Sequence, residues 1–322
     1  MAVEFSVLIP TYNRADLIAE TLDSVFAQTY PAREVIVIDD GSTDHTPEVL
    51  ARYSDRILYK RIPNAGAQNA RNVGFGMAQC HWVALCDSDD LWLPTYLEKQ
   101  ASILSNEPGI GLSFGNFRIL QKGQVSAKTK FEEAPPGYWE KNTARKIAAG
   151  AILSQDYAEA TFIFHPLFIS AMVLSKALAL SVGGFNRQMP RNAEDGEFTL
   201  RCLYRAKIAR LEEALVLIRK HDSNISGEIA SRLISEVSVL RYIKSHHAEA
   251  RNYHATIDDQ IRLRTLMAYN AAFAAKDLGT VRNLFAALSQ QDRSSKVRLK
   301  YLIASAPNWI GGPVNGLLQR LR

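Results

Sequence analysis

Short apolar runs alternate with longer apolar stripes through the first two-thirds of the chain. Phe5-Ser6-Val7-Leu8-Ile9 is a compact β-rich run closed by Pro10, and predicts a first, central strand. Leu17, Ile18, Leu22, Val25 and Phe26 then recur at helical spacing until Tyr30-Pro31. Asn13 or Asp16 stands where a residue would cap that helix. Glu34-Val35-Ile36-Val37-Ile38 predicts a second buried strand. It runs into Asp39-Asp40-Gly41-Ser42, a tight turn whose glycine permits unusual dihedrals. Asp44 or Thr46 is positioned to cap the next helix, with Pro47 in its first turn. Residues 56–62 predict a more exposed strand, 64–74 a helix rich in small residues, and 82–86 a fourth strand. Small side chains let that helix lie close to a sheet or a ligand. Pro94 opens a helix to about Leu104, and residues 110–120 predict another strand. This alternation predicts an α/β fold, Rossmann-like, with a mostly parallel central sheet flanked by helices. Ligands of such sheets bind beyond the carboxyl ends of the strands. Tyr12, Asp40 and Asp87–Asp89 all fall at such ends.

Residues 121–160 break the rhythm. Pro135-Pro136-Gly137-Tyr138-Trp139 is a loop signal with two aromatics expected to be exposed, read either as a lid or acceptor-binding element or as a plain surface insertion. Order resumes at 171–174 with an apolar run, then a short helix ended by Gly183-Gly184. Glu194-Asp195-Gly196-Glu197 opens a further helix, where acids are favoured on electrostatic grounds alone. Residues 207–219 predict a returning strand. From about Glu228 long helical patterns follow one another over 229–243, 257–278, 281–288 and 297–304. Residues 268–288 resemble one helical-repeat hairpin, and one copy does not make an array. The division expected is therefore residues 1–226 as the α/β domain, split near residue 120, and 227–322 as a helical C-terminal appendage.

Composition narrows the function. The chain has 322 residues and a formal net charge of +5, which suits phosphate-bearing ligands or an anionic membrane surface. No basic block interleaved with aromatics points to nucleic acid. The three cysteines have no metal-type spacing, and so low a count fits a reducing compartment. No run reaches the ~18 apolar residues of a membrane span. The expected location is the cytoplasm, with the apolar and cationic stretch 309–322 read either as a peripheral contact to the inner face of the membrane or as a segment that packs or frays. Oligomeric state is not specified by the sequence.

The chemistry concentrates at Asp87-Ser88-Asp89-Asp90, directly after the fourth apolar run. Acids this close repel one another unless something positive sits among them. A divalent cation, its shell completed by the phosphates of a nucleotide, answers that need. An acidic, solvated turn is the plainer alternative.

These pieces together resemble glycosyltransferase family 2, the inverting transferases of the GT-A fold. The likeness is carried by residues 6–14, by Val35-Ile36-Val37-Ile38-Asp39-Asp40-Gly41-Ser42-Thr43-Asp44, and by Asn64-Ala65-Gly66 with Ala70-Arg71-Asn72-Val73-Gly74. It continues in Asp87-Ser88-Asp89-Asp90, Gly183-Gly184-Phe185, Glu194-Asp195, and His221 with Asn224 and Ser226. It covers the first 226 residues and leaves out the helical part. It implies a nucleotide-sugar donor, usually a uridine diphosphate sugar, with Mn2+ or Mg2+ as cofactor. The implied donor-binding residues are Pro10, Thr11, Tyr12, Arg14, Asp40, Arg71, Asp87 and Ser88. Asp89 is the implied metal ligand, with His221 as a second candidate. Asp195 is the implied general base, and Asp39, Asp90 and Glu194 are secondary candidates. The acceptor would be a glycan, a lipid-linked sugar or another hydroxyl, in cell-surface polysaccharide or glycoconjugate synthesis. A catalytically silent scaffold of the same fold is the alternative. A nucleotidyltransferase is a further one, though Pro10-Thr11-Tyr12-Asn13-Arg14 lacks the glycine-rich phosphate loop that would go with it.

Overall fold

The structure, a computed structural model, describes residues 2–189, 194–220 and 229–305. They fall into two compact units, Met1–Asp222 and Ser223–Arg322. The first unit opens with β1 (Phe5–Thr11), α1 (Ile18–Phe26), β2 (Glu34–Asp39), α2 (Thr46–Ala51), β3 (Leu58–Arg61), α3 (Ala67–Met77) and β4 (Trp82–Leu85). It continues with β5 (Leu91–Trp92), α4 (Tyr96–Asn106), β6 (Ile110–Gln121), β7 (Gln124–Val125), α5 (Tyr138–Asn142), β8 (Thr143–Ile147) and β9 (Gly150–Leu153). It closes with α6 (Tyr157–Ile163), β10 (Met172–Ser175), α7 (Lys176–Ser181), α8 (Glu194–Leu203) and β11 (Lys207–Lys220).

The strands form one mixed sheet in the order β3-β2-β1-β4-β10-β6-β11-β9-β8. Strands β3, β2, β1 and β4 run parallel, so their carboxyl ends share one edge. β1 is buried along its whole length, as a parallel strand covered on both faces should be. β10 inserts antiparallel between β4 and β6, with Met172 opposite Leu85. Its start therefore lies at the same edge as the end of β4. The core clusters on Phe5, Val7 and Ile9 of β1, Val35 and Val37 of β2, and Ile18 and Leu22 of α1.

The glycines expected at special positions have physical roles. Gly41 has φ of +79°, as the turn after β2 requires. Gly74 lets α3 lie against β1, because a Cβ there would run into the Leu8 side chain.

Two expectations need correction. Neither Asn13 nor Asp16 caps α1, which has no side-chain cap. Asn13, with φ of +51°, turns its Oδ1 instead to the backbone N–H of Thr43 at 2.8 Å, and its own N–H donates to Ser42 Oγ at 3.0 Å. It ties the loop after β1 to the loop after β2. Tyr138 and Trp139 are not exposed either. Tyr138 is buried and donates to the Phe164 carbonyl at 2.9 Å. Trp139 stacks obliquely on Phe131 at 4.6 Å, donates to its carbonyl at 3.0 Å, and lies under the Arg210 guanidinium at 4.3 Å. The Pro-Pro-Gly signal marks a turn, and the aromatics after it fasten the insertion to the sheet.

The second unit is helical: α9 (Ile229–His246), α10 (His254–Ala274), α11 (Leu278–Ala287) and α12 (Ser295–Ser305). Tyr269, Phe273, Val281, Val297 and Ile303 are among its core residues. The Tyr269 hydroxyl donates to the Val297 carbonyl at 2.8 Å, joining α10 to α12. Asp277 caps α11 by accepting from Thr280 N–H at 3.0 Å. Among the described residues, no helix is long and apolar enough to cross a membrane.

The close approach of α3 is testable. Gly74→Val should cost about 1–3 kcal/mol by overpacking the α3–β1 contact. Urea denaturation followed by circular dichroism would show it as a lowered midpoint, and an unchanged midpoint would refute the contact.

Candidate active site

Helix α3 is the element from which the site is built. Positions 68, 72 and 75, and positions 71 and 75, share faces of a helix. Gln68 Nε2 donates to the Met189 carbonyl at 3.3 Å. Asn72 makes a two-way amide clasp, donating to Phe185 O at 2.9 Å and accepting Phe185 N–H at 2.7 Å. Gly184, at φ +69°, must lack a side chain because a Cβ would strike the Asn72 amide. Phe75 stacks with Phe185 and Phe198, which lie 3.9 Å apart centroid to centroid. Phe198 belongs to α8, so the aromatic stack links α3 to the helix that begins at Glu194 and Asp195.

Arg71 lies among the acids and is only 4 % exposed. Its Nη2 donates to Asp87 Oδ1 at 2.7 Å. Its Nη1 lies 3.5 Å from Asp195 Oδ1 and 3.7 Å from Glu194 Oε1. The guanidinium sits 5.0 Å from the centre of the Phe185 ring. Asp195 Oδ1 is enclosed and makes no hydrogen bond among the described residues, although its side chain as a whole is 32 % exposed. Burial pushes the Asp195 carboxyl up to about 6, Arg71 opposes that rise, and Asp87 adds to it. Glu194 is raised further, first by burial and then by Asp195 beside it.

The three acids after β4 are kept apart by different partners. Asp87 is held by Arg71, and Asp89 Oδ2 accepts from Arg14 Nε at 3.2 Å. Asp90 turns inward, where it is buried. Its Oδ1 accepts the Arg219 N–H at 2.8 Å and its Oδ2 accepts from Ser170 Oγ at 2.5 Å. Burial, then Asp89 and Asp87, push the Asp90 carboxyl well above its ordinary range. The Ser170 hydroxyl also accepts Asp87 N–H at 2.9 Å, and the Ser170 carbonyl accepts from Trp92 Nε1 at 2.7 Å. Ser170 precedes β10, whose start faces the end of β4. Nothing in its local sequence marks it, since the pairing of β10 with β4 is what brings it there.

The acids after β2 serve the neighbouring loops. Asp40 accepts Ala65 N–H and Gly66 N–H, both at 2.8 Å, one on each oxygen. Asp39 accepts Ser42 N–H at 2.8 Å and the Tyr59 hydroxyl at 2.9 Å. Tyr12 is 42 % exposed at the end of β1. Pro10, Thr11 and Ser88 are buried, and Thr11 Oγ1 makes no hydrogen bond among the described residues. His221, Asn224 and Ser226 lie outside the described residues. Among the described residues, no group of three or more His, Cys, Asp or Glu could hold a metal by itself. Asp87 and Asp89 nevertheless offer hard carboxylate oxygens, the donors that Mg2+ and Mn2+ take together with phosphate oxygens.

Ser170→Ala would strip partners from both Asp90 and the Asp87 N–H. The expected loss is about 1–3 kcal/mol, read by chemical denaturation. An unchanged stability would show that this hydroxyl does not organise the turn.

With this geometry in hand, similarity to known proteins is informative. Residues 6–162 match the family model described as glycosyl transferase family 2. The chain is 37 % identical over 134 residues to the putative teichuronic acid biosynthesis glycosyltransferase TuaG of Bacillus subtilis (strain 168), covering 40 % of this chain and 52 % of TuaG. It is 34 % identical over 248 residues to the Escherichia coli protein named UDP-Glc:alpha-D-GlcNAc-diphosphoundecaprenol beta-1,3-glucosyltransferase WfaP, covering 75 % of this chain and 88 % of WfaP. The match thus spans about half the length of TuaG but most of WfaP. Among solved structures, S. aureus TarS 1-349 in complex with UDP-GlcNAc superposes with a TM-score of 0.64 at 18 % identity, covering 96 % of this chain and 92 % of that one. A mannosyltransferase from Pyrobaculum calidifontis in complex with GDP-Man and Mn2+ gives 0.58 at 21 %, covering 94 % and 86 %. These two likenesses bear on the fold, which is the GT-A arrangement. Sequence relatedness along most of WfaP, together with the family-model match, establishes that this chain belongs to glycosyltransferase family 2.

Proposed function

We propose that the chain transfers a sugar from a nucleotide-sugar donor, a uridine diphosphate sugar, to an acceptor hydroxyl by one inverting displacement assisted by a divalent cation. The observation that carries this reading is Arg71, which bonds Asp87 and lies within 3.5 Å of Asp195. One guanidinium thereby sets the separation between the donor-side acid and the acid that would receive the acceptor's proton. WfaP is named for a UDP-Glc donor and TarS is seen with UDP-GlcNAc, which supports the uridine donor. The mannosyltransferase complex with Mn2+ supports the cation.

Asp195 is the general base. Its side chain is 32 % exposed, so an acceptor O–H can reach the carboxylate, and burial makes it a stronger base than an ordinary carboxylate. Arg71 keeps it ionised at neutral pH. Tyr12, exposed at the strand edge, stacks on the nucleotide base. Asp40 fixes the Ala65-Gly66 amides beneath that base and keeps a second lone pair on each oxygen for the base N–H. Arg14 and Arg71 face the diphosphate. Asp89, with His221 as a second ligand, would hold Mn2+ or Mg2+, which when bound neutralises charge on the departing diphosphate. Residues 1–226 form the transferase domain and 227–322 an appendage. The acceptor is a lipid-linked or growing glycan of a cell-surface polysaccharide, met in the cytoplasm at the inner face of the membrane, as the diphosphoundecaprenol in WfaP's name suggests.

Three outcomes are expected. Asp89→Ala should abolish the Mn2+-dependent part of nucleotide binding in calorimetry, and unaltered binding would remove it from the metal site. Asp195→Asn should keep donor affinity and lose about 100-fold or more in transfer; wild-type turnover would exclude it as base. In the wild type, kcat/KM should fall as pH drops through about 6, because only the ionised carboxylate accepts a proton. A profile flat from pH 8 to 5 would contradict that role.

A further inference from the structure

The second unit holds a cavity of about 970 Å³ whose lining has a chemistry of its own. That size lies in the range of roughly 300–1,000 Å³ typical of small-molecule sites. Asn270 and Phe273 of α10, Asp292, Ser294 just before α12, and Lys296 and Lys300 of α12 contribute to its wall. Lys300 is 6 % exposed. Lysines are almost never buried this deeply unless paired with an opposite charge. Here Nζ donates to the neutral Asn270 Oδ1 at 2.7 Å and sits 5.0 Å from the centre of the Phe273 ring. Among the described residues no carboxylate pairs with it. The acid on the same wall, Asp292, is committed elsewhere: it accepts from Arg262 Nη1 at 2.7 Å and from Ser289 Oγ at 2.6 Å. Lys296 stands one helical turn before Lys300, so two cations adjoin the cavity on one face of α12. Burial, and then Lys296, lower the Lys300 pKa, the direction that an incoming anion would reverse. The first turn of α12, whose Val297 N–H and Arg298 N–H are taken up by Ser294, adds a dipole of the same preference.

We propose that this cavity binds an anionic sugar, a sugar unit bearing a carboxylate or a phosphate, with its charge held by Lys300 and Lys296. A bare inorganic anion would satisfy the lysines but leave most of the space empty. A hydroxylated ring takes up more of it than a bare anion does and finds hydrogen-bond partners in Asn270 and Ser294. All these residues belong to the second unit, so the site stands whether or not the first unit transfers sugar as proposed above.

The test is calorimetric titration of the full chain with glucuronate and glucose 6-phosphate, against glucose and inorganic phosphate. Saturable binding of at least one anionic sugar is expected, with glucose not binding and phosphate clearly weaker. Lys300→Met and Lys296→Ala should each weaken it about tenfold or more, the size of one charge-assisted hydrogen bond. Asp89→Ala should leave it unchanged, which separates this site from the acids of the first unit. Lys296 is exposed, so its replacement tests the site even where Lys300→Met fails to fold. No saturable binding, binding that survives Lys296→Ala, or phosphate binding as tightly as the sugars would overturn the proposal.

Discussion

Concentrated negative charge at one sheet edge is the constraint on which the first unit depends. Asp87, Asp89, Asp90, Glu194 and Asp195 gather there, and carboxylates leave water only when something compensates them. Arg71 compensates Asp87, Glu194 and Asp195 from within the protein. Arg14 compensates Asp89. Asp90 is compensated by hydrogen bonds to Ser170 and the Arg219 backbone. The acids of this edge are therefore largely compensated within the protein itself.

Much of the architecture was legible because buried parallel strands announce themselves as uninterrupted apolar runs. β1, β2 and β4 were recognisable from five residues each, Gly41 marked a turn whose geometry leaves little choice, and Pro47 marked the first turn of α2. The helical unit was legible from periodicity, down to the last helix among the described residues. Tyr138 and Trp139 were misjudged because turn residues report local backbone and say nothing of what the next side chains find. Phe131 a few residues earlier, and Tyr157 and Arg210 from farther along the chain, cover them. Asn13 was misjudged for a related reason: a capping residue and a loop clasp have the same chemistry, and only the adjacency of two strand ends decides between them.

The candidate site was legible as a set of acids and basic residues, less so as an arrangement. Asp87 with Arg71, and Arg71 with Asp195, are contacts between residues far apart in the chain. Asn72 lay in a recognisable stretch, yet its task, gripping Phe185, has no local signature. Ser170 had none at all. Such residues touch no substrate in the proposed reaction, but they fix the angles at which the others stand.

Helix α3 contacts the Asp87 side through Arg71 and helix α8 through Arg71 and Phe75, while Asn72 grips Phe185 ahead of α8. The distance between the two chemically opposed ends of the site is thus gauged from a single rigid rod. It is not accumulated along the hundred or so residues that separate Asp87 from Asp195 in the chain. Errors of length in the intervening segment do not propagate to the site. The stretch that carries Tyr138 and Trp139 is anchored by its own aromatics and does not set the spacing of the carboxylates.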